Sequence, residues 1–304
     1  MHHIHKIRLC LLTHNRPNYA KIALDSLVSN NLNCNCEIYV SDNSIEPSFS
    51  ESLQNKYNNQ AIIKFKYRNQ VLNALDHMNL VINESLNFDF ILLFHDDDIL
   101  YSNYLEKILN LGVLNDKSFS AFAINANLIY NNKESKNKIT HYKNNVIIKT
   151  SQDLIDAYFC LDSNGAPPFP GYLYRVSAIK NLELKNIDGG KHSDFSFLVD
   201  LLKYGNFFWY NEVLMSYRIH EKSGSNSFSI VDRNLQYNFL LNLKLNNKNA
   251  INDFNLIFLT EKLKNQHVNM LFYVFHLLKY LIINILNLRI FRIIYKRIKN
   301  RLID

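Results

Sequence analysis

Residues 91–100 read ILLFHDDDIL: an apolar run ends in His95 and is followed by three consecutive carboxylates, Asp96, Asp97 and Asp98. Adjacent carboxylates repel, and each resists ionising beside the others. A positive partner is therefore expected among them, either a Lys or Arg of the chain or a divalent cation carried in with a substrate. Two more polar clusters close short apolar runs, Thr13-His14-Asn15-Arg16 after RLCLLT begins at residue 8, and Asp42-Asn43-Ser44 after EIYVS (37–41).

The elements that must position these clusters follow from hydropathy patterning. RLCLLT (8–13), EIYVS (37–41), IIKFKY (62–67) and FILLF (90–94) are short β-rich runs, mostly dense enough to be buried on both faces. Between them, 18–30 and 70–85 carry helical spacing, with Ile22, Leu24, Leu27 and Val28 as apolar positions of the first. Strand alternating with helix predicts an α/β fold with a mostly parallel sheet flanked by helices. In such sheets ligands collect beyond the carboxyl ends of the strands, which is where all three polar clusters fall.

The second half is less regular. Residues 119–130 read as a strand and 131–145 as a polar loop or hairpin tip. In 163–175, Pro167, Pro168 and Pro170 with Gly165 and Gly171 predict either a shaped loop over a pocket or a plain chain reversal, then a strand. Residues 193–205 predict a helix with Ser193 as its cap and Gly205 as its stop, and 207–225 a strand, a turn, a second strand and a Gly/Ser loop. From about 230 the chain is helical and free of Gly and Pro. Within 268–288 a polar face of Asn269, His276, Lys279, Asn284 and Asn287 argues against a membrane span. The basic, amphipathic 289–301 predicts either an interfacial membrane helix or a helix docked on the rest of the chain or a second subunit.

The chain has 304 residues, 47% hydrophobic and 20% charged, with net charge +7 and pI about 9.0. That size and composition give ample core, and the basic excess suits an acidic partner such as a nucleoside diphosphate or an anionic membrane. The basic residues do not cluster with aromatics as in nucleic-acid modules, so no nucleic-acid partner is expected. Cys10, Cys34, Cys36 and Cys160 form no paired framework, which predicts reduced thiols and a cytoplasmic setting. The N-terminal MHHIHKIR has no apolar core of a signal peptide.

With the three clusters in order, residues 7–225 resemble the family 2 glycosyltransferases of the GT-A fold, a Rossmann-like α/β architecture. LLTHNRP resembles that family's first-strand opening, with Leu12 where proline is usual, and IYVSDNS its second-strand acidic motif. FHDDDILYSNYLEKIL resembles the metal motif and its helix, SDFSFLVDLLKYG the base motif, and YRIHEKSGS the closing Y-R-x-H segment. The resemblance implies a catalytic domain over 1–228, with a donor half to about 130 and an acceptor half over 131–228, followed by a helical extension over 229–304. It implies an inverting transfer from a UDP-, dTDP- or GDP-linked sugar to a glycan or lipid-linked hydroxyl in bacterial surface-glycan synthesis. Donor contacts then fall to Thr13, His14, Asn15, Arg16, Asp42, Asp96, Asp97 and Arg218, with Asp42 facing the nucleoside. Mg²⁺ or Mn²⁺ falls to Asp96, Asp97, Asp98 and His220, and general-base duty to Asp194, whose place at a helix N-terminus should keep it ionised. A gapless match sets His95 at the family's first aspartate and Asp97 at the metal-binding one, whereas a shift by one pairs Asp96 with Asp98. His220 has a second reading, as a strand-end hydrogen-bonding group. The implied setting is cytoplasmic, on the inner face of the membrane if the tail binds lipid, with a homo-oligomer as the other role for the tail. Competing readings are a nucleotidyltransferase, disfavoured by the lack of a Gly-rich phosphate loop, an aspartyl phosphatase, whose motif belongs near the first strand, and a non-catalytic binding module.

Overall fold

The computed structural model describes residues 5–30, 35–58, 62–130, 133–219, 229–265, 267–286 and 288–303. They form β1 (Ile7–Thr13), α1 (Pro17–Val28), β2 (Cys36–Asp42), α2 (Glu51–Asn58), β3 (Ile63–Tyr67), α3 (Ala74–Asn83), β4 (Phe90–His95) and β5 (Ile99–Leu100). These are followed by α4 (Tyr104–Asn110), β6 (Phe119–Tyr130), β7 (Lys133–Lys138), β8 (Val146–Ile148), α5 (Ser151–Phe159), β9 (Tyr172–Arg175) and α6 (Val176–Ile179). The chain ends with α7 (Ser193–Leu201), β10 (Asn206–Ile219), α8 (Ile230–Asn242), α9 (Asn249–Lys264), α10 (Met270–Leu286) and α11 (Arg289–Ile303). Two compact units result. One holds the described residues up to 149, with 167–184 and 197–219, and the other holds 150–166, 185–196 and those from 229 on.

The first unit is a mixed ten-stranded α/β sheet in the order β3-β2-β1-β4-β9-β6-β10-β5, with β7 on β6 and β8 on β10. The block β3-β2-β1-β4 is parallel, and the short β9 enters antiparallel between β4 and β6. Every residue of β1 is buried, and in β4 all but His95 are. That is why those sequences are continuous apolar runs, each buried Leu or Ile contributing about 1.5–3 kcal/mol. The register pairs Thr13 with Asp42 and Leu12 with His95, so the polar ends of β1, β2 and β4 stand level. Pro17 opens α1, where its missing N–H costs nothing, and Asn73 caps α3 by accepting from the Asp76 N–H.

Three expectations change. β3 is an edge strand, and Lys64, Lys66 and Tyr67 are exposed, because it has a neighbour on one side only. The 207–219 segment is one strand, not two around a turn. Register shifts between Tyr210 and Met215 absorb the polar Asn211-Glu212 pair, with Asn211 bound to Asn145 and to the Tyr142 carbonyl. Ser193 does not cap α7. A preceding 3-10 turn, Gly190–His192, runs into the helix, Ser193 already has φ −72° and ψ −7°, and its Oγ is buried without a partner among the described residues. Residues 133–138 pair with β6 as the second arm of a hairpin, and Ile22 of α1 faces solvent.

The second unit is all helix and turn. Its centre is an ion cluster: Asp253 of α9, fully buried, accepts from both Nη atoms of Arg289, from Tyr280 Oη at 2.7 Å and from the Leu161 N–H at 2.8 Å. Arg289 also donates to Asp162 at 2.6 Å and Asn284 at 3.0 Å. The docked face of α10 therefore carries Tyr280 and Asn284, while Leu271, Phe275, Leu278, Ile282 and Ile285, spaced 4-3-4-3, are 50–83% exposed. This orientation reverses that of a helix in a water-facing bundle. No single helix among the described residues is long and apolar enough to cross a membrane; α10 and α11 together reach that length but are bent by 99°.

Removing Arg289 would leave Asp253 charged and buried. Arg289→Ala is expected to cost about 3–5 kcal/mol in the denaturant unfolding of this chain; a loss below about 1 kcal/mol would show that the cluster is not what holds α9, α10 and α11 together.

Candidate functional site

The level ends of β1, β2 and β4 bring Thr13, His14, Arg16 and the aspartate run into one place. Asp96, 4% exposed, accepts from Thr13 Oγ1 at 3.0 Å, from the His14 N–H at 3.1 Å and from Arg16 at 3.2 Å. The same Arg16 nitrogen reaches Asp97 Oδ2 at 2.8 Å. Asp98, 1% exposed, accepts from the Arg218 N–H at 2.9 Å. The Arg218 side chain is also buried: its Nε donates to the Asp97 carbonyl at 2.8 Å, and its guanidinium lies 4.8 Å from the Tyr19 ring centre. Arg218 thus shapes the 97–98 turn from the end of β10.

Burial dominates the electrostatics. It pushes the Asp96 carboxyl up to about 6, aided by Asp97 and opposed by Arg16 and the two hydrogen bonds. It pushes Asp98 well above the carboxylate range, again with Asp97 adding to the effect. The His95 imidazole is driven the other way, toward the neutral form, by the same desolvation.

Asp42 stands beside Thr13 but its carboxylate is taken up by its own loop, accepting from the Ser44 N–H at 3.1 Å, the Ser48 N–H at 2.6 Å and Ser48 Oγ at 3.3 Å. His14 Nδ1 lies 2.7 Å from the Asn43 carbonyl oxygen. Asn15 sits at φ 55°, a left-handed conformation that Asn tolerates, and its Oδ1 accepts from the Ile45 N–H at 2.9 Å. Thr13, His14 and Asn15 therefore bind the 42–48 loop to β1, with His14 and Asn15 exposed at its rim.

Asp194 lies in the other unit, in the first turn of α7, where it accepts from the Phe195 N–H at 2.9 Å. The helix N-terminus does not win there. Desolvation outweighs the backbone hydrogen bonds and raises the carboxyl to about 6. His220 and Cys34 lie outside the described residues.

One donor atom each from His95, Asp97 and Asp98 lie within 4.8 Å of one another. Asp98 Oδ2 and His95 Nε2 are both buried without a hydrogen-bond partner among the described residues. Unsatisfied lone pairs beside a carboxylate fit a divalent cation, so Asp97 and Asp98 suit the expected Mg²⁺ or Mn²⁺; Asp96 turns instead to β1. A second acidic group, Cys160 with Asp162 and Asp253, does not call for a metal, because Arg289 already supplies its positive charge. The sequence resemblance sets His95 at the first aspartate of the metal motif but not among the metal-holding residues; the structure places it beside Asp97 and Asp98.

No protein-family model and no curated protein sequence matches the chain. Solved structures do. Staphylococcus aureus TarS 1–349 in complex with UDP-GlcNAc is similar with TM-score 0.58 and 15% identity, over 85% of this chain and 73% of that one. A longer S. aureus TarS structure matches with TM-score 0.58 and 13% identity over 84% of this chain, which spans 43% of its length. The mannosyltransferase PcManGT from Pyrobaculum calidifontis, in complex with GDP-Man and Mn²⁺, matches with TM-score 0.56 and 9% identity over 98% of this chain and 88% of that one. At such identities the likeness establishes a shared fold, the α/β fold of GT-A type glycosyltransferases.

Arg16 is the cation that lets Asp96 and Asp97 coexist. Arg16→Ala should lower metal-free stability by about 1–3 kcal/mol, and millimolar Mn²⁺ should recover more of the melting temperature in the variant than in the parent. Equal Mn²⁺ shifts in both proteins would remove Arg16 from that role.

Proposed function

We propose that this protein is a metal-dependent, inverting glycosyltransferase that moves a sugar from a nucleotide-sugar donor to a hydroxyl of a glycan or lipid-linked acceptor. The observation that carries this reading is the meeting of the β1, β2 and β4 ends around Asp97 and Asp98, in a fold shared with structures that hold UDP-GlcNAc and GDP-Man. In this reading Asp97 and Asp98 hold Mg²⁺ or Mn²⁺. A cation bound there offsets the charge that develops on the departing diphosphate. Arg16, released from one aspartate, presents its guanidinium to phosphate oxygens, which it matches in a bidentate fork. The 42–48 loop, fixed by Asp42, forms the wall for the nucleoside, with His14 and Asn15 at its rim. Arg218 contributes by holding the 97–98 turn in place. By its family resemblance the pathway is the synthesis of a bacterial polysaccharide, lipopolysaccharide or capsule.

Inversion needs an acceptor hydroxyl to attack opposite the leaving diphosphate, and a hydroxyl is a weak nucleophile until a base takes its proton. We assign that base to Asp194. A carboxyl near 6 is ionised at neutral pH and still basic enough to accept a proton, so transfer should rise with pH through about 6 and then level. With a panel of UDP-, dTDP- and GDP-sugars, the parent should release nucleoside diphosphate with Mn²⁺ and not with EDTA. Asp194→Asn should keep nucleotide binding and lose transfer by about 10²–10⁴-fold. Formation of nucleoside triphosphate and sugar 1-phosphate when pyrophosphate is added to the same panel, with no nucleoside diphosphate released, would favour a nucleotidyltransferase, and a variant within a few-fold of the parent would make Asp194 structural.

We assign the exposed stripe of α10 to an anionic membrane surface, the setting in which a lipid-linked acceptor is found. Between Glu261 and Asp304 the sequence has no acidic residue and nine Lys or Arg. The exposed apolar arc also takes in Met270, Phe272, Val274 and Ile283, wider than a helix-pairing seam. Two such cationic tails would repel, which weighs against a homo-oligomer through this face. The full chain should sediment with phosphatidylglycerol vesicles, less so at high salt, and a Leu271→Glu/Phe275→Glu variant should stay in solution. Dimerisation lost in that variant, without lipid binding in the parent, would give the stripe to a second copy instead.

A further inference from the structure

We propose that His95 is itself a ligand of the divalent cation, so that the centre is His95, Asp97 and Asp98, with a nitrogen donor that favours Mn²⁺ over Mg²⁺. The proposal rests on the metal reading of this site and adds to it the identity of one ligand and the selectivity that follows. His95 is the last residue of β4, and its main chain is fixed opposite Leu12 of β1. Its ring lies 6.3 Å from that of Phe169, from the 3-10 turn Phe169–Gly171, which walls it on one side. Its Nε2 is buried, with no hydrogen-bond partner among the described residues. An imidazole used only for packing would leave that lone pair or N–H at a cost in free energy that a phenyl ring avoids.

The second observation is independent of the ring. Asp98 is 1% exposed, its Oδ1 is engaged by the Arg218 N–H, and its Oδ2 has no partner among the described residues. One donor atom each from Asp98, His95 and Asp97 fall within 4.8 Å of one another. Two residues with an unsatisfied buried polar atom thus stand beside the Asp97 carboxylate, and one cation can serve all three. Mg²⁺ prefers oxygen ligands and gives up its water reluctantly, whereas imidazole nitrogen is readily taken by transition ions. Asp96, committed to Thr13, the His14 N–H and Arg16, is not required as a ligand.

The test uses the full chain with Mn²⁺ alone, below one equivalent, and pulsed electron paramagnetic resonance to detect directly bonded ¹⁴N. The coupling is expected in the parent and in His220→Gln, and absent in His95→Gln, whose preference for Mn²⁺ over Mg²⁺ should fall at least about 10-fold. Bound Mn²⁺ with no nitrogen coupling in the parent would overturn the assignment whether or not the His95 variant folds. Coupling that persists in His95→Gln would overturn it as well. Either result leaves the metal reading intact, provided that Asp97→Ala weakens Mn²⁺ binding. Mn²⁺ binding unaffected by Asp97→Ala would remove the metal reading and this inference together.

Discussion

Repulsion among three consecutive carboxylates is the constraint around which the first unit is arranged. The fold resolves it with partners from two strand ends, one set serving Asp96 and Asp97 together and the other serving Asp98. Asp96 goes to the end of β1 through Thr13, the His14 amide and Arg16; Asp97 shares that Arg16; Asp98 goes to the main chain of Arg218 at the end of β10. These partners are some eighty to one hundred and twenty residues away in sequence. Only a fixed register of β1 on β4, and a strand long enough to carry Arg218 to the same edge, can deliver them together. The bulged course of β10 has its use here: its register shifts set which residue arrives opposite Asp98.

Much of this arrangement is legible in the sequence. The buried strands show as apolar runs because parallel strands covered on both faces leave no room for alternation, and the polar clusters at their ends mark a site by position alone. Where sequence and fold part, a local signal is outweighed by a long-range one. Asn211-Glu212 has the composition of a turn, but the ladder to β6 on either side is worth more than the local preference, so the pair is absorbed into a bulge. The helix terminus predicts an ionised Asp194, and desolvation moves the carboxyl the other way. His95 reads as a substituted aspartate, since nothing in a linear sequence shows that its nitrogen is left without a partner among the described residues.

The tail is hard to read for a different reason. Helical periodicity reports two faces but not which one points inward, and the usual assumption is that the apolar one does. Arg289 reverses that. A guanidinium bound to two aspartates and Asn284 in the interior needs polar neighbours, so the face of α10 with Tyr280 and Asn284 docks and the leucine and isoleucine face is left outside. The ion cluster thereby decides the surface chemistry of a helix it touches only from behind.

The two ends of the main sheet path carry a last consequence. A free edge is a template onto which another chain can hydrogen-bond. At one end β3 presents exposed Lys64 and Lys66, the first tied to Glu37 at 2.7 Å, and at the other β5 is two residues long. Charge blocks the first template and brevity the second. At both ends of that path, growth by strand addition is disfavoured, even though the interior strands are among the most apolar segments of the chain.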